Sequence, residues 1–293
     1  MDFEPLTSRR GLIAGLGALT LAGCGPKAQK AETPAPAAPA GPPSLDKVIA
    51  GEWRSPADKA RDAWRHPAES LAFWGLKPGM TVVEFWPGAG WYTDILAPFL
   101  DQTGGKLYIA NFDANDPAEA QIAAALQQKI EGNRRVYGRV EFTTFGPMSG
   151  PAAPAASADM VLFLRNVHNW MAGGIAEKAF RDAFAALKPG GVLGVEEHRG
   201  VPGGVQDMVA SNGYVQEAFV KQLASEAGFK FDKASEINAN PADTKDHPFG
   251  VWTLPPVRRS SPRGQPDNPA FDRAKYDAIG ESDRMTLRFV KPA

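Results

Sequence analysis

The sequence has one cysteine among its 293 residues, which excludes an intrachain disulfide and a zinc site built from several cysteines. It also lacks an excess of either charge: 32 lysine and arginine residues and 33 aspartate and glutamate residues give a net charge of −1. This balance excludes a nucleic-acid-binding protein that relies on bulk positive charge. Nucleophile-elbow, P-loop and kinase motifs are missing too. The hydrophobic fraction is 43%, which is enough for a sizeable core.

Residues 1–24 have the order of an export signal. Arg9 and Arg10 precede the weakly apolar run 11–22, which is shorter than the about 20 residues of a membrane-spanning helix but suits the core of a signal peptide. The residues around the arginine pair resemble a twin-arginine signal. The sequence LAGC at 21–24 resembles a bacterial lipobox, whose cysteine is lipidated. The alternative is an ordinary buried apolar segment with a chance cysteine.

These features predict a chain that is exported and held in the bacterial cell envelope by a lipid on Cys24, facing the periplasm. Gly25 after the cysteine favours the outer membrane. Residues 25–44 are mostly alanine and proline, a composition that buries little and tends toward extended geometry, so they are predicted to form a tether. The folded domain is then expected to span residues 45–293.

Short apolar runs alternate with longer amphipathic ones along the domain. Runs that are apolar on both faces and separated by helices predict a parallel sheet with helices on both sides, and ligands bind beyond the carboxyl ends of such strands. The last two strands are separated by a long excursion at 236–284, which is either a lid over the site or a loose loop. The predicted strands are 81–85, 106–110, 139–143, 160–164, 192–195, 229–235 and 285–291, and the predicted longer helices are 92–100, 118–130, 175–187 and 213–227.

A glycine turn follows the first predicted strand in the sequence EFWPGAGWY. Gly88 and Gly90 lack a Cβ atom, so the backbone can approach a ligand closely and turn into a helix whose first N–H groups are free donors. Glu84 supplies a carboxylate for a ligand ammonium or hydroxyl group. A strand, an acidic residue, a glycine turn and a helix in this order indicate a ligand site, with a plain tight turn as the alternative.

Polar residues follow the fourth predicted strand in the sequence RNVHNW. His168 is a candidate general base, because imidazole titrates near neutrality, and a structural histidine is the alternative. Trp170, together with Trp86, Trp91 and Tyr92, forms either an aromatic wall for a flat ligand or part of the core.

A third polar cluster, EEHR, follows the fifth predicted strand. It is the least specific, because charges are common where a buried strand reaches water. A metal site combining His198 of this cluster with His66 is not expected, since no two histidines have the spacing of ligands on one helix. All three clusters follow strands of one sheet, and they should therefore meet at one edge.

These stretches resemble the class I S-adenosylmethionine-dependent methyltransferases. VVEFWPGAG at 82–90 is similar to the first motif of that family, and LKPGGVL at 187–193 is similar to the turn into its fifth strand. PGAGWYT, RNVHNW, EEHR and the terminal DRMTLRFVKP resemble a group of exported bacterial proteins described as predicted methyltransferases. The resemblance implies a Rossmann-like fold, in which a mostly parallel seven-stranded sheet ends in an antiparallel hairpin and carries helices on both faces.

The resemblance also implies roles for single residues. S-adenosylmethionine would be the cofactor, and its methionine part would face Glu84, Gly88 and Gly90. His168 would be the base on the acceptor side, with Asn166 orienting it. The residues expected at the cofactor are Glu84, Trp86, Pro87, Gly88, Ala89, Gly90, Tyr92, Asn111 and Asp113, and those expected on the substrate side are Trp170, Glu197 and His198.

Three positions depart from the family pattern. Trp86 stands where the first motif usually has its first glycine, so a ring covers the ligand or the backbone approach is altered. Asn111 stands where a carboxylate usually holds the ribose hydroxyls, and Asp113 is its nearest substitute. Residues 144–146 lack the acidic residue that often reads the adenine amine.

The resemblance implies methyl transfer from S-adenosylmethionine to a small-molecule or envelope-associated acceptor, with no nucleic-acid partner. Predicted export argues for an alternative, because a supply of S-adenosylmethionine outside the cytoplasm is doubtful. In that alternative the chain is a non-catalytic periplasmic lipoprotein that uses the fold to bind another ligand. An envelope interaction protein acting through 236–284 is a third class.

Overall fold

The computed structural model describes residues 44–113 and 117–293. The predicted export signal at 1–24, with Cys24, lies outside these residues, and so does the tether at 25–44 apart from its last residue. Among the residues described, no helix combines the length and the apolar character needed to cross a membrane.

One mixed sheet organises the described chain. Its strands are β1 (Thr81–Phe85), β2 (Lys106–Phe112), β3 (Val140–Phe145), β4 (Ala158–Leu164), β5 (Leu187–His198), β6 (Lys230–Ser235) and β7 (Arg284–Val290). Their order across the sheet is β3-β2-β1-β4-β5-β7-β6. Neighbouring strands are parallel from β3 to β5, and β7 is antiparallel to both β5 and β6. The carboxyl ends of β1, β4 and β5 therefore share one edge.

Helices cover both faces of the sheet. They are α1 (Leu45–Ile49), α2 (Pro56–Ala60), α3 (Asp62–Arg65), α4 (Pro67–Trp74), α5 (Thr93–Gln102), α6 (Pro117–Gly132), α7 (Arg134–Tyr137), α8 (Val167–Ala172), α9 (Ala176–Ala186), α10 (Glu217–Glu226) and α11 (Ala274–Ile279). α2 begins at a capped end, since the Ser55 hydroxyl accepts from the N–H of Asp58 at 3.0 Å and Pro56 takes the first helical position.

Successive side chains of a strand point to opposite faces of the sheet, and each face has its own hydrophobic core. In β1, Val83 and Phe85 pack into the core under α8, α9 and α10, whereas Val82 packs into the core under α4 and α5. Glu84 lies on the same side as Val82, because side chains two positions apart share a face of a strand. The acidic residue of the glycine turn therefore lies inside the protein, facing α5.

The predicted sheet is confirmed, with shifts at the element ends. β1 has the predicted bounds, but β5 begins at Leu187 rather than at residue 192. The turn at Gly190 and Gly191 pairs with the residues after β7: the N–H of Gly190 donates to the carbonyl of Lys291, and the carbonyl of Gly191 accepts the N–H of Lys291, each at 2.9 Å. The helix predicted from residue 213 begins at Glu217.

The excursion at 236–284 is partly packed against the domain. It contains a 3₁₀ turn at Gly250–Thr253 and the helix α11. Thr253 and Leu254 are fully buried. This part of the excursion therefore has a fixed place beside the carboxyl edge of the sheet, where its position bears on the candidate site.

Candidate functional site

The glycine turn and the RNVHNW segment meet at the carboxyl edge of the sheet. β1 and β4 are neighbours, and Asn166 follows β4. The buried amide of Asn166 donates to the carbonyl oxygens of Phe85 at 3.2 Å and Trp86 at 2.9 Å. We call this arrangement the Asn166 clamp. The sequence predicted Asn166 as a partner of His168, but the structure binds its side chain to the glycine turn.

Trp86 covers the ends of β2 and β3. Its backbone is left-handed, with a φ of 45°, and its Nε1 donates to the carbonyl of Phe145 at 2.8 Å. The ring centroid lies 4.8 Å from that of Phe112. Phe112 and Phe145 are the last residues of their strands. The indole thus occupies the edge where the resemblance places the adenine contact.

The two glycines of the turn have different surroundings. At Gly88, with a φ of 60°, an added Cβ would meet no described atom within 4 Å, so the space there is open. At Gly90, with a φ of 83°, an added Cβ would lie 2.5 Å from Cδ1 of Leu126 in α6. The carbonyl of Pro87, just before the first glycine, accepts the N–H of Gly90 at 3.0 Å, and Ala89 between the two glycines is exposed. Close approach to a ligand is therefore possible at Gly88, while Gly90 serves helix packing.

The residues predicted at the ribose lie at the end of β2. Asn111 is buried, and its Oδ1 accepts the N–H of Phe112 at 2.9 Å while its Nδ2 donates to the carbonyl of Ala123 in α6 at 3.5 Å. Asp113 is half-buried against Gly146, where an added Cβ would lie 2.4 Å from Cβ of Asp113. The amide of Asn111 is thus bound to α6, which leaves Asp113 as the carboxylate nearest the predicted contact.

Three of the four predicted wall aromatics are core residues. Tyr92 is buried, and its hydroxyl donates to Oε2 of Glu196 at 3.0 Å. Trp91 is buried as well, and Trp170 is fully buried, with its ring centroid 4.6 Å from that of Phe163. Only Trp86 among the four is half-exposed. Core packing, the alternative weighed from the sequence, accounts for the other three.

Glu84 is sealed behind the turn. The side chain is 1% exposed, and its Oε2 accepts from the Thr93 hydroxyl at 2.7 Å. Burial raises the pKa of Glu84 to about 7, against the lowering effect of the Thr93 hydrogen bond. Glu84 therefore ties β1 to the start of α5 and exists near neutrality as a mixture of acid and carboxylate.

His168 forms a buried pair with Glu197. The Nδ1 atom of His168 lies 2.9 Å from Oε1 of Glu197, and the backbone N–H of His168 donates to Oε2 at 3.3 Å. A carboxylate only accepts, so Nδ1 carries the proton, and in the neutral ring Nε2 holds the free lone pair. Within the described chain, Nε2 of His168 has no hydrogen-bond partner. This is the arrangement of a general base oriented by a carboxylate.

His198 lies beside His168, with ring centroids 5.1 Å apart. Its Nδ1 atom is 2.6 Å from the hydroxyl of Ser282. Burial, and next the neighbouring His168 and Arg284, hold the pKa of His198 well below its ordinary value. The ring is therefore neutral at pH 7.

The structure also assembles a set of metal-ligand types that the sequence spacing did not indicate. His168, Glu197 and His198 each offer one ligand atom, and these atoms lie within 4.8 Å of one another. His66 is elsewhere, with its Nδ1 atom 3.2 Å from Oδ1 of Asn238.

Both histidines line a cavity of about 190 Å³, which we call the histidine cavity. Its polar walls also include Arg65, Arg165, Glu281 and Ser282. Its apolar wall comes from the excursion and consists of Val251, Trp252, Leu254, Pro255, Pro256 and Val257. Part of the excursion thus lies over the group that the sequence singled out as a base.

A larger and more open cavity, of about 720 Å³, has Arg199 in its walls. The guanidinium of Arg199 is already paired with Glu236 at 2.6 Å and Asp283 at 2.8 Å. We take the smaller histidine cavity as the candidate site, because its walls hold a carboxylate-oriented imidazole and buried charges. Neither these two cavities nor three others found among the described residues have the glycine turn in their walls.

Sequence reasoning missed the arginine and glutamate walls of this cavity. Arg65 and Glu281 are 216 positions apart, and no local pattern links them. Arg165 is the first residue of the RNVHNW segment. Its backbone is left-handed, with a φ of 60°, at the point where the chain leaves β4 at the carboxyl edge of the sheet. The one sequence signal for this cavity was that Arg165 and His168 stand in the same segment after β4.

Solved structures share this fold at low sequence identity. The [4+2]-cyclase SpnF aligns over 85% of this chain and 92% of its own, with a TM-score of 0.53 and 16% identity. A provisionally assigned sarcosine dimethylglycine methyltransferase from Galdieria sulphuraria aligns over 80% and 86%, with a TM-score of 0.51 and 15% identity. A SAM-dependent methyltransferase from Aquifex aeolicus aligns over 67% and 93%, with a TM-score of 0.49 and 19% identity.

No protein-family model and no curated protein sequence matches the chain. The topology and these structures together define the class of fold: the chain has the Rossmann-like fold of the class I methyltransferases. Fold alone does not fix activity, which has to be argued from the site.

Proposed function

We propose that this chain transfers a methyl group from S-adenosylmethionine to a small acceptor held in the histidine cavity. The Asn166 clamp carries the proposal, because it joins the glycine turn after β1 to the segment that delivers His168. A turn suited to the cofactor and a base suited to the acceptor then occupy the same edge of the sheet. This juxtaposition is what methyl transfer requires, since most of its rate comes from positioning.

His168 is the proposed base. S-adenosylmethionine supplies an electrophilic methyl group when bound, and an acceptor that carries a proton must lose it as the new bond forms. The Nε2 atom of His168 would accept that proton, while Glu197 holds the ring at Nδ1. A His168→Gln variant should lower transfer by about 100-fold or more, the usual contribution of a general base.

Of the residues expected at the methionine part of S-adenosylmethionine, Gly88 leaves room for it as it stands, whereas Glu84 is buried behind the turn. The space at Gly88 is open, and the chain turns there into α5. The adenosine part fits only after a rearrangement, because the indole of Trp86 lies over the ends of β2 and β3 and the amide of Asn111 is bonded to α6. Cofactor binding therefore requires Trp86 to release the carbonyl of Phe145.

Calorimetry with S-adenosylmethionine and S-adenosylhomocysteine tests the proposal directly. Gly88→Val should abolish binding, since the side chain would enter the open space. Gly104→Val is the matched control: Gly104 also has a positive φ, of 74°, and open surroundings, but it precedes β2 at the opposite edge of the sheet. Absence of binding to the unmodified protein at millimolar ligand would overturn the proposal.

A second candidate function is a non-catalytic ligand-binding lipoprotein. The position of the Trp86 indole favours it, because the protein's own ring takes the place expected for adenine. The likeness to SpnF, named for a cyclase reaction, supports the view that this fold also serves proteins named for other chemistry. Native mass spectrometry separates the candidates, since a retained adenosyl ligand would favour the enzyme.

We further propose that the protein works in the cell envelope, in line with the exported group that it resembles. The support is the order of arginine pair, apolar run and lipobox ending at Cys24. Metabolic labelling with palmitate should mark the wild-type protein and leave Cys24→Ser unlabelled. Labelling of both proteins, or of neither, would contradict the lipid anchor.

A further inference from the structure

A buried cluster beside the histidine cavity holds more guanidinium groups than carboxylates. Nη1 of Arg284 lies 3.1 Å from Oε1 of Glu196 and 2.8 Å from Oε2 of Glu281. Arg65 pairs with Glu281 at 2.8 Å, and Arg165 pairs with Glu196 at 2.9 Å. Each of these side chains is at most 17% exposed. Among the described residues, this cluster carries three positive and two negative charges.

Glu197 does not neutralise the surplus by contact. Its oxygens accept from Nδ1 and the backbone N–H of His168 and from the backbone N–H of His198. Within the described chain, no guanidinium lies at ion-pair distance from it. The surplus positive charge therefore stays with the arginines.

Arg65 shows the effect of this surplus. Burial, and next the positive charge of Arg165, lowers the pKa of the Arg65 guanidinium to about 9, although Glu281 acts in the opposite direction. A buried charge without full compensation is costly, so a negative partner beside Arg65 would be stabilising. Arg65 and Arg165 both line the histidine cavity, which gives such a partner a place.

We propose that the histidine cavity binds a small anion, a carboxylate or phosphate group lying against Arg65 and Arg165 under residues 251–257. The volume of about 190 Å³ equals about six water molecules, which suits a small ligand. Guanidinium groups bind both kinds of oxyanion in a bidentate manner. Anion binding at this site does not depend on methyl transfer. If the proposed function holds, the anion is a charged group of the methyl acceptor.

A cation is the competing occupant, because His168, Glu197 and His198 offer ligand atoms at the same cavity. The two arginines in its walls argue against it, since a divalent ion would lie close to their charges. Zinc alone therefore serves as a separate probe.

Calorimetry and thermal unfolding of the full chain test the site with sodium phosphate and sodium acetate, at an ionic strength kept constant with chloride. Saturable binding of at least one anion, with a matching rise in Tm, is the expected result. The comparison of phosphate with acetate identifies which oxyanion the site prefers. No cofactor is added, so failure of S-adenosylmethionine binding leaves this test intact.

Two variants should move anion affinity in opposite directions. Arg65→Met leaves two arginines with two glutamates, and Glu281 stays paired with Arg284, so the variant should fold and bind the preferred anion at least about tenfold more weakly. Glu281→Gln enlarges the surplus and should strengthen binding about tenfold. Arg199→Met is the control, because two carboxylates already surround that arginine in the larger cavity.

Several outcomes would overturn the proposal. They are the absence of saturable binding for both anions, equal weakening by Arg199→Met and Arg65→Met, and zinc binding that His198→Ala removes while neither anion binds. If Arg65→Met fails to fold, Glu281→Gln and Arg165→Lys carry the test. Unchanged anion affinity in both of those variants would equally defeat it.

Discussion

Glu84 and Glu196 stand on β1 and β5, on either side of β4, and both side chains are fully buried, yet their pKa values shift in opposite directions. At Glu84, in the glycine-turn region, burial raises the pKa to about 7. At Glu196, beside the histidine cavity, burial also acts to raise the pKa, but Arg165 and Arg284 outweigh it and lower the value. Depth alone therefore does not set the charge of a buried carboxyl group; its partners do.

The carboxyl edge of the sheet has two halves, one at the glycine turn and one at the histidine cavity, and different interactions stabilise them. In the glycine-turn half, the space at Gly88 is open, but the protein's own apolar groups take up the space around it, with Leu126 against Gly90 and the Trp86 indole over the ends of β2 and β3. In the histidine-cavity half, the walls contain arginines paired with buried glutamates. A ligand would have to displace side chains in the first half but would complete a charge balance in the second.

Removal of the Glu196 carboxylate should have the largest effect. Glu196→Gln leaves three arginines with one carboxylate, and breaking such a buried network costs about 3–5 kcal/mol. Because the pKa of Glu196 is lowered by folding, its stabilisation is present above about pH 4.5, the unfolded pKa, and is lost as pH falls through the folded value. Urea unfolding at pH 7 and pH 4 measures this difference.

Glu177→Gln provides the matched control, because Glu177 forms an exposed pair with Arg181. It should leave stability unchanged. If Glu196→Gln lowered the free energy of unfolding as little as Glu177→Gln, the buried charges beside the histidine cavity would not stabilise one another.

Removal of the Trp86 ring should have the next largest effect. Trp86→Gly loses packing and the hydrogen bond to Phe145 but relieves a left-handed backbone, so unfolding should cost about 3 kcal/mol less than in the wild type. S-adenosylhomocysteine should bind about tenfold more tightly, because the indole no longer has to move. Calorimetry measures this change, and unchanged affinity would show that the ring does not close the glycine-turn half.

Neutralising Glu84 should stabilise the protein. Folding raises this pKa from 4.5 to about 7. The carboxyl group therefore costs the folded state no stability below about pH 4.5, and it lowers the free energy of unfolding as pH rises toward 7. Glu84→Gln should therefore add about 3 kcal/mol at pH 8 and little at pH 4. Denaturant unfolding across this range checks the sign, and a destabilised variant at pH 8 would refute it.

The sequence was sufficient for the sheet but not for the cavity. The alternation of apolar runs and helices is local, so it predicted all seven strands and the convergence of β1, β4 and β5 at one edge. Arg65 and Glu281 meet only because the excursion returns to the sheet, and no local pattern records that contact. The exposure of Trp86 and the burial of Trp170 likewise depend on tertiary packing rather than on spacing.

The Thr93 hydroxyl offers the smallest and most specific test of the comparison. It is the hydrogen-bond donor to Glu84 in the described chain, and that bond lowers the pKa of the carboxyl group. Thr93→Val should cost about 1 kcal/mol, and the cost should be greater at pH 8 than at pH 5, because the carboxylate needs the donor more than the neutral acid does. An equal cost at both pH values would mean that Thr93 acts only through packing against Gly90 and that its hydrogen bond does not lower the pKa of Glu84.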